Sequence, residues 1–410
     1  MNVFKTLVRK MNELTEKTLL VLTPCYPDKR GKVVGDPFVK YPVDEMKRFF
    51  KEIIVISPQP YFPSLLTKFK FFRNRFTASN VFQDYSYENV TVFYPKFFTL
   101  PMTPFRKRNG DYCYNASKRI LKKNNLKFDL IHAHFTWPCG YVAAKLKKEH
   151  KKKVVLTGHG FDIYELPFRN KFWNKKATDV LKKVDKIITV SESNKKCIKV
   201  LGFNSIVLTN GFNSKKFKFL KNKKGLKSEL NIPPNKKIIL HVGNLIKIKN
   251  QINIINAANE LQKKRKDFVV YLIGAGPDKE KIINKIKKLK LEDHVKVLGP
   301  KTHDEIPLWM NIADLFVLPS YSEGNPTVMF EALGCGLPFI GTNVGGVSEI
   351  ITSEEYGLLY NDPEDYHILT ELINRGLNKK WNNEKITNYS KEFTWKKISK
   401  RIINIYNDIS

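Results

Sequence analysis

The sequence predicts an α/β protein made of two Rossmann-like domains, each a doubly wound parallel sheet, that face a central cleft. Two observations lead to this prediction. Short apolar runs, which are typical of strands buried on both faces, recur along the chain with helical patterns between them. The series ends near residue 209 and begins again near residue 238, and 410 residues are enough for two or three domains. Strands that alternate with helices favour parallel sheets.

The first strand series predicts an N-terminal, acceptor-side domain over residues 18–210. Residues 1–17 precede it as an amphipathic extension, with apolar side chains on one face and basic side chains on the other. The predicted strands are Thr18–Thr23, Ile53–Ser57, Val90–Tyr94, Leu130–Ala133, Val154–Thr157, Ile187–Val190 and Ile206–Thr209.

The second series predicts a C-terminal domain over residues 238–390. Its strands are Ile238–Val242, Val269–Ile273, Val295–Leu298, Leu315–Leu318 and Pro338–Gly341. Residues 211–237 are rich in Lys and are predicted as a linker, and residues 391–410 as a C-terminal helix that can cross back to the first domain. Ligands of such sheets bind outside the carboxyl ends of the strands, where we expect the site.

Basic residues exceed acidic ones by a wide margin. Lys and Arg number 72 against 39 Asp and Glu, a net charge of +33, of which +23 lies in residues 1–200. This excess indicates an anionic partner, or only basic solvated faces. Five scattered Cys without a CxxC pair predict neither a disulfide framework nor a zinc site. Because no signal peptide and no membrane-spanning run is evident, we expect a cytoplasmic protein.

The segment Leu315–Ile351 contains the most informative motif. A buried strand ends at Pro319, and a loop leads to a helix that is predicted to begin at Pro326 with Asn325 as its N-cap. Such a strand–loop–helix start is an anion site, because free backbone N–H groups and the helix dipole point out of the sheet. Gly324 lets a ligand approach the backbone closely.

Two carboxylates flank this helix start. Glu323 precedes the helix, and Glu331 lies one turn inside it. Carboxylates accept hydrogen bonds from hydroxyl groups, so the pair suits a sugar better than a phosphate. The alternative is an ordinary capped helix with two solvated Glu side chains.

The spacing Glu323-x7-Glu331, within EGNPTVMFEALGCGLPFIGTNVGGVSEII, resembles the signature of the retaining glycosyltransferases of family four, which have the GT-B fold. The resemblance covers the chain after residue 18 and is strongest over residues 236–351. It implies that Glu323 is catalytic and holds the donor sugar near its 3-hydroxyl, and that Glu331 binds the nucleotide ribose. The residues expected to border the sugar and diphosphate are Gly324, Asn325, Pro326 and Thr327.

A second segment, HVGNLIKIKNQ, is similar to the strand–turn motif of that family, in which Gly-Arg-Leu is followed by Lys-Gly. Gly243 and Lys249 match, and the resemblance implies that Lys249 meets the donor diphosphate. Two positions depart from the motif, since Asn244 replaces the usual Arg and Asn250 the usual Gly. Asn244 is expected to donate a hydrogen bond to the donor without bringing a charge. The diphosphate is then held more weakly, or Lys247 compensates.

A third segment, Val154–Tyr164, ends a strand in a Gly-His-Gly turn. His159 resembles the family's His that faces the donor sugar near its 6-hydroxyl, and we therefore expect it to be catalytic. The alternative is a structural His. Asp162 is expected to orient the loop, and His132 and His134 to shape the floor of the cleft.

Two further glycines complete the predicted donor site. Gly35 follows the first strand and is expected near the phosphates, and Gly299, in LGPKTHDE, resembles the loop that cradles the base. The stretch from Gly274 to Gly276 is predicted as a tight turn lining the nucleotide site, because Lys279 stands where a dinucleotide motif needs its third Gly.

The resemblance implies transfer of a hexose from a UDP- or GDP-sugar to an acceptor hydroxyl, with retention of configuration. A lipid-linked acceptor or a glycan precursor of polysaccharide biosynthesis is expected. No DxD pair occurs, so we expect no metal, and no cofactor besides the nucleotide sugar. Three alternatives are another GT-B enzyme (a sugar-nucleotide epimerase or a phosphorylase), a basic nucleic-acid-binding protein and an inactive scaffold. No nucleic-acid-binding module is recognisable, so we expect no nucleic-acid partner.

A final prediction concerns an anionic membrane surface. Leu65–Phe76 alternates aromatic with cationic side chains, and residues 1–17 form a basic amphipathic pattern. Rings at headgroup depth and cations on phosphates suit an anionic bilayer. We therefore expect the first domain to dock peripherally on the inner face of the cell membrane. The alternative is that these aromatic side chains belong to the core.

Overall fold

A computed structural model of the chain describes residues 14–29, 37–61, 82–99, 103–230 and 232–409. Three sequence predictions lie outside these residues: Gly35, the extension up to residue 13, and the stretch Leu65–Phe76. The described residues of Met1–Thr209 and Lys396–Ser410 form one unit, and those of Asn210–Trp395 form a second.

The first unit contains an eight-stranded sheet in the order β10-β9-β8-β7-β1-β2-β5-β4. All pairs are parallel except β4 with β5. Strands β3 and β6 form a separate parallel pair. The strands are β1 Thr18–Leu22, β2 Glu52–Ile56, β3 Gln59–Tyr61, β4 Tyr85–Tyr87, β5 Val90–Phe93, β6 Lys96–Phe98, β7 Leu130–His134, β8 Lys153–Gly158, β9 Lys186–Thr189 and β10 Ile206–Val207.

Helices cover this sheet because its central strands are buried on both faces. Strand β7, for example, is buried at all five positions. The helices are α1 Pro37–Met46, α2 Thr103–Lys123, α3 Tyr141–His150, α4 Phe161–Tyr164, α5 Lys171–Leu181 and α6 Glu192–Val200.

The second unit is a six-stranded, fully parallel sheet in the order β13-β12-β11-β14-β15-β16. The order reverses between β11 and β14, which is the switch point where doubly wound sheets bind ligands. The strands are β11 Lys237–Val242, β12 Phe268–Ile273, β13 Val295–Gly299, β14 Leu315–Leu318, β15 Phe339–Thr342 and β16 Gly357–Tyr360.

Seven helices of the described chain flank that sheet, and an eighth ends the chain. Residues 211–237, the stretch predicted as a linker, include the first of them. The helices are α7 Lys223–Glu229, α8 Gln251–Lys264, α9 Lys279–Lys288, α10 Ile306–Ile312, α11 Thr327–Gly334, α12 Tyr366–Asn378, α13 Asn383–Ser390 and α14 Trp395–Asn407.

Helix α14 packs on the first unit. Its apolar face buries Ile398, Ile402 and Ile403, and Tyr406 is fully buried. The Tyr406 hydroxyl lies 2.5 Å from Nδ1 of His132 on β7. Helix α14 therefore belongs to the first unit, although it follows the second unit in the sequence.

Candidate functional site

The loop between β14 and α11 follows the switch point of the second unit. The prediction that this helix begins at Pro326 with an Asn325 cap was wrong by one residue. Pro326 is extended, with φ −69° and ψ 117°, and the helix begins at Thr327 with no side-chain cap. The Asn325 side chain is engaged elsewhere, because its Oδ1 accepts a hydrogen bond of 2.8 Å from the backbone N–H of Asn210.

The uncapped start of α11 leaves an anion-binding position. The first N–H groups of any helix have no partner within it, and here the cap residue is a Pro that offers no side-chain acceptor. The helix spans eight residues, so its dipole also favours negative charge at this end.

An ion pair lies beside this helix start. Nζ of Lys249 donates to Oε1 of Glu323 at 2.6 Å, and the Ser320 hydroxyl donates to the same oxygen at 2.6 Å. The Glu323 side chain is 8% exposed and that of Lys249 is 21% exposed. Sequence reasoning selected both residues for the donor site but did not predict their contact.

Backbone hydrogen bonds hold the loops around this pair. The N–H of Tyr321 donates to the carbonyl of Ile248 at 2.8 Å, and the N–H of Gly346 donates to that of Gly324 at 3.1 Å. Gly345 has a left-handed φ of 56°, and a Cβ there would lie 1.6 Å from the carbonyl oxygen of Glu323. Only glycine fits that contact.

The loop after β11 carries Gly243 and Asn244. A Cβ on Gly243 would meet its nearest atom, Nε2 of His241, at 3.4 Å, so the fold itself tolerates a larger residue there. This openness is what close approach of a ligand requires. Asn244 is exposed, and its carbonyl accepts from Nε2 of Gln251 at 2.9 Å.

Asn250 explains one departure from the family motif. It caps α8 in the left-handed conformation, with φ 52° and ψ 42°. Glycine is the usual residue for this conformation, and Asn is among the few others that tolerate it. Its Nδ2 also donates to the carbonyl of Pro363 at 2.6 Å.

Glu331 is buried, at 4% exposure, and its carboxylate has a partner that the sequence did not indicate. Oε1 of Glu331 lies 2.8 Å from Nε2 of His303. His303 belongs to the LGPKTHDE segment, but neither its spacing nor its neighbours pointed to the distant Glu. Only the fold brings α11 and the stretch after β13 together.

The predicted turn glycines pack on the same loops. Cβ atoms on Gly274 and Gly276 would lie 1.9 Å and 2.2 Å from the carbonyl oxygens of Gly243 and Leu245. These two glycines are therefore required by packing. Gly299 has φ 74° with open space around its Cβ position, and its carbonyl accepts from the N–H of Gly274 at 3.0 Å.

In the first unit, His159 follows β8 within a histidine cluster. Its Nε2 lies 2.9 Å from Nδ1 of His134, and the rings of His134 and His132 stack at 4.4 Å. Nδ1 of His159 is buried without a hydrogen-bond partner among the described residues. Burial lowers the pKa of His159 to about 3, so its imidazole is neutral at neutral pH.

Asp162 holds the turn that presents His159. Its Oδ1 accepts from the N–H groups of His159 and Gly160 at 3.0 and 3.1 Å, and its Oδ2 from that of Thr136 at 2.8 Å. Asp162 therefore orients the loop, as predicted. Burial raises its pKa, against these three hydrogen bonds.

Two features are absent from the described part of the chain. No group of three or more His, Cys, Asp or Glu side chains there could hold a metal ion. No helix within those ranges is long and apolar enough to cross a bilayer.

The fold is that of known glycosyltransferases. Sucrose-phosphate synthase from Thermosynechococcus elongatus superposes with a TM-score of 0.79, at 18% identity, over 96% of this chain and 99% of that one. HepE from Anabaena in complex with UDP-glucose gives 0.69, at 18% identity, over 96% and 100% of the two chains.

Sequence comparisons define the family. A model described as glycosyl transferases group 1 matches residues 222–393, and one described as Glycosyltransferase Family 4 matches residues 73–216. The chain belongs to the family-four glycosyltransferases of GT-B fold. It is 32% identical to an uncharacterised glycosyltransferase of Methanocaldococcus jannaschii, over 72% of this chain and 80% of the relative. It is 29% identical to the Bacillus subtilis glycosyltransferase TuaC, named for teichuronic acid biosynthesis, over 87% and 88% of the two chains.

Proposed function

We propose that this protein transfers a hexose from a nucleotide-diphosphate sugar to an acceptor hydroxyl with retention of configuration. The Lys249–Glu323 pair beside the start of α11 is the observation that carries the proposal. Cleavage of the donor places negative charge on the leaving diphosphate. Lys249 and the N–H groups at Thr327 supply positive charge and hydrogen-bond donors suited to stabilising it.

The roles of the other residues follow the family resemblance. Glu323 accepts hydrogen bonds from the donor sugar near its 3-hydroxyl, and His159 acts on the donor sugar as the resemblance implies. Glu331 binds the ribose, and Gly299 borders the base. No nucleophile is assigned on the protein, because an oxygen of the leaving phosphate takes the proton of the acceptor as it attacks the same face.

We propose a UDP- or GDP-sugar as the donor and a lipid-linked or glycan precursor as the acceptor. HepE was crystallised with UDP-glucose, and TuaC is named for teichuronic acid biosynthesis, which favours these classes. The reaction needs no metal in this proposal, since Lys249 and α11 replace the cation. Turnover should therefore survive EDTA, and its abolition by the chelator would contradict this part.

Nucleoside diphosphate release tests the reaction. Purified protein is incubated with UDP- and GDP-sugars, with and without lipid-linked or soluble saccharide acceptors. Transfer predicts diphosphate release only with an acceptor, and the product should keep the anomeric configuration of the donor. An epimerase would change the sugar nucleotide without releasing diphosphate, and a phosphorylase would require inorganic phosphate.

Variants link this activity to the ion pair. Glu323→Gln should lower turnover by orders of magnitude while the protein stays folded, because the amide loses the charge that Lys249 contacts. Glu355→Gln is the matched control: Glu355 pairs with Lys385 in the same unit, but both side chains are about half exposed. Wild-type turnover in Glu323→Gln would refute the assignment.

We also propose that the first unit docks on an anionic membrane. The sequence patterns of residues 1–17 and Leu65–Phe76 motivate this, and a described surface adds support. Phe161 and Phe168 are 43% and 47% exposed, and the guanidinium of Arg169 lies 4.7 Å from the Phe161 ring centre. Exposed rings beside cations suit an interface with anionic headgroups.

Liposome flotation tests docking. Binding should require anionic lipid, fall with added salt and weaken when residues 1–17 are deleted. Phe168→Ser should weaken it as well, whereas Val200→Ser, at an exposed apolar position of the same unit, should not. Protein that remains unbound at low salt would make a soluble acceptor the better proposal.

A further inference from the structure

The contact between His303 and Glu331 belongs to a directional chain of hydrogen bonds. Nζ of Lys216 lies 3.4 Å from Nδ1 of His303, and Nε2 of His303 lies 2.8 Å from Oε1 of Glu331. An ammonium group can only donate, so Nδ1 of His303 accepts. The proton of a neutral imidazole must then be on Nε2, which donates to the carboxylate.

Neighbouring groups hold both ends of this chain in place. Nζ of Lys216 also pairs with Asp304 at 2.5 Å, which lowers the pKa of that carboxyl. The ring of Phe217, which is 1% exposed, meets the His303 ring edge-on at 5.0 Å. The His303 side chain is 31% exposed, whereas that of Glu331 is 6% exposed, so His303 lies between the buried carboxylate and the solvent.

The geometry leaves one oxygen of Glu331 for a ligand. His303 occupies Oε1, and Oε2 makes no hydrogen bond to any residue that the structure describes. Oε2 does not belong to the fully buried side-chain atoms of the described chain that lack a partner, so a ligand can reach it. Two neighbouring hydroxyl groups, as on a ribose, are suited to that second oxygen.

We propose that His303 is a positioning residue for the donor nucleotide. His303 holds the Glu331 side chain so that Oε2 of Glu331 meets the ribose hydroxyls, and Lys216 sets the tautomer of His303. This inference rests on the proposed function, because it takes Glu331 as the ribose ligand. In this proposal His303 affects only the binding of the ribose, and it does not contact the base, the diphosphate or the sugar of the donor.

The first test reads the tautomer in the ligand-free protein. In ¹⁵N-labelled wild type, at a pH where the His303 ring is neutral, His303 should show a protonated Nε2 and an unprotonated Nδ1, assigned by comparison with His303→Gln. Lys216→Ala should shift the population toward the other tautomer. A proton on Nδ1 of the neutral ring in the wild type would overturn the chain.

The second test measures binding of UDP, GDP and their 2′,3′-dideoxy counterparts. His303→Ala should weaken the preferred diphosphate about tenfold and its dideoxy counterpart much less, because the latter has no ribose hydroxyls for Glu331. His303→Gln keeps an N–H donor near the Nε2 position and should restore most of the affinity. In turnover, His303→Ala should raise KM for the donor with little change in kcat.

The outcomes separate this inference from the function it rests on. Equal losses for both nucleotides in His303→Ala would mean that His303 is only structural, and the positioning role would be wrong while nucleotide binding stands. If the wild type binds no nucleoside diphosphate, the proposed function fails and the positioning role fails with it. The tautomer measurement then still decides whether the hydrogen-bond chain exists.

Discussion

His132 links the stability of the first unit to pH. It is 1% exposed, lies 2.5 Å from the Tyr406 hydroxyl and 2.8 Å from the Thr157 hydroxyl, and burial lowers its pKa to about 3. In the unfolded chain the ordinary value is about 6.5. Between these values the unfolded state binds the additional proton, so stability is complete above pH 6.5 and falls as the pH falls toward 3.

The expected loss is up to about 1.4 kcal/mol for each pH unit below 6.5. Thermal unfolding at pH 7 and pH 5 measures it, and His132→Gln should reduce the difference between the two pH values. His150→Gln is the control, because His150 is exposed on the same unit. Equal pH dependence of the wild type and His132→Gln would contradict the account.

The left-handed conformation of Asn250 should affect the stability of its variants. Asn250→Gly and Asn250→Ala both lose the 2.6 Å hydrogen bond to Pro363, but only Ala is also strained by the left-handed φ of 52°. Asn250→Ala should therefore be less stable than Asn250→Gly by about 1 kcal/mol in urea unfolding. Equal stabilities of the two variants would show that the conformation relaxes without cost.

The residues of the candidate site could be predicted from the sequence, but their hydrogen-bond partners could not. Glu323, Lys249 and Glu331 could be chosen from their motifs, and the Asn at position 250 could be noticed as a departure. The pairing of Glu331 with His303 and that of Asn325 with Asn210 join residues 28 and 115 positions apart. Only the fold creates such contacts, so local pattern could not reveal them.

The position of the loop around Glu323 depends on Gly345. Gly345→Ala would place a Cβ 1.6 Å from the Glu323 carbonyl oxygen, so the loop must move. We expect this variant to remain folded but to lose affinity for the donor sugar, as measured by calorimetric titration with the nucleotide sugar.

Gly202→Ala is the matched control for that variant. Gly202 has a φ of 88°, also left-handed, but nothing lies within 4 Å of its Cβ position. Both substitutions incur the backbone cost of about 1–2 kcal/mol, and only Gly345→Ala adds the clash. Unchanged donor binding in Gly345→Ala would mean that the loop position does not matter for the site.

Most strands with apolar runs could be predicted from the sequence, although the mostly buried strand β16 was missed, and weakly patterned strands could not. Each predicted strand forms, with ends within two residues, because continuous apolar runs mark strands buried on both faces. Strands β3, β4 and β6 have three residues each and partly exposed side chains, so no run marks them. The start of α11 was misplaced because Asn325 looked like a local cap.

For the whole molecule, the last helix should stabilise the first unit. Tyr406→Ala removes a fully buried ring, at a cost of about 3–5 kcal/mol, and Tyr406→Phe removes only the hydroxyl that contacts His132, at a cost of about 1–3 kcal/mol. In thermal unfolding, the transition that responds to nucleotide should be unchanged in both variants, since we propose that nucleotide binds the second unit. A parallel loss in both transitions would contradict this.

The two-unit architecture could be predicted because the strand pattern stops and restarts. The sequence predicted that the last helix can cross back to the first domain but could not decide it, because the apolar face of α14 would fit any core. The structure places Lys396–Ser410 in the first unit. In the structure, Ile402 of α14 is buried and Tyr406 of α14 contacts His132, so tertiary packing determines the position of this helix.

A thermal-shift comparison of UDP-, GDP- and ADP-sugars with their free diphosphates tests whether Lys249 and Glu323 form a binding site for the donor. A ligand that binds only the folded state raises its stability by RT ln(1 + [L]/Kd). We predict that one nucleotide sugar stabilises the wild type more than its free diphosphate does. Glu323→Gln should lose that additional shift but keep the shift with free diphosphate, and Lys249→Ala should lose both. No shift with any of these ligands, or the full nucleotide-sugar shift in Glu323→Gln, would contradict a donor site built on Lys249 and Glu323.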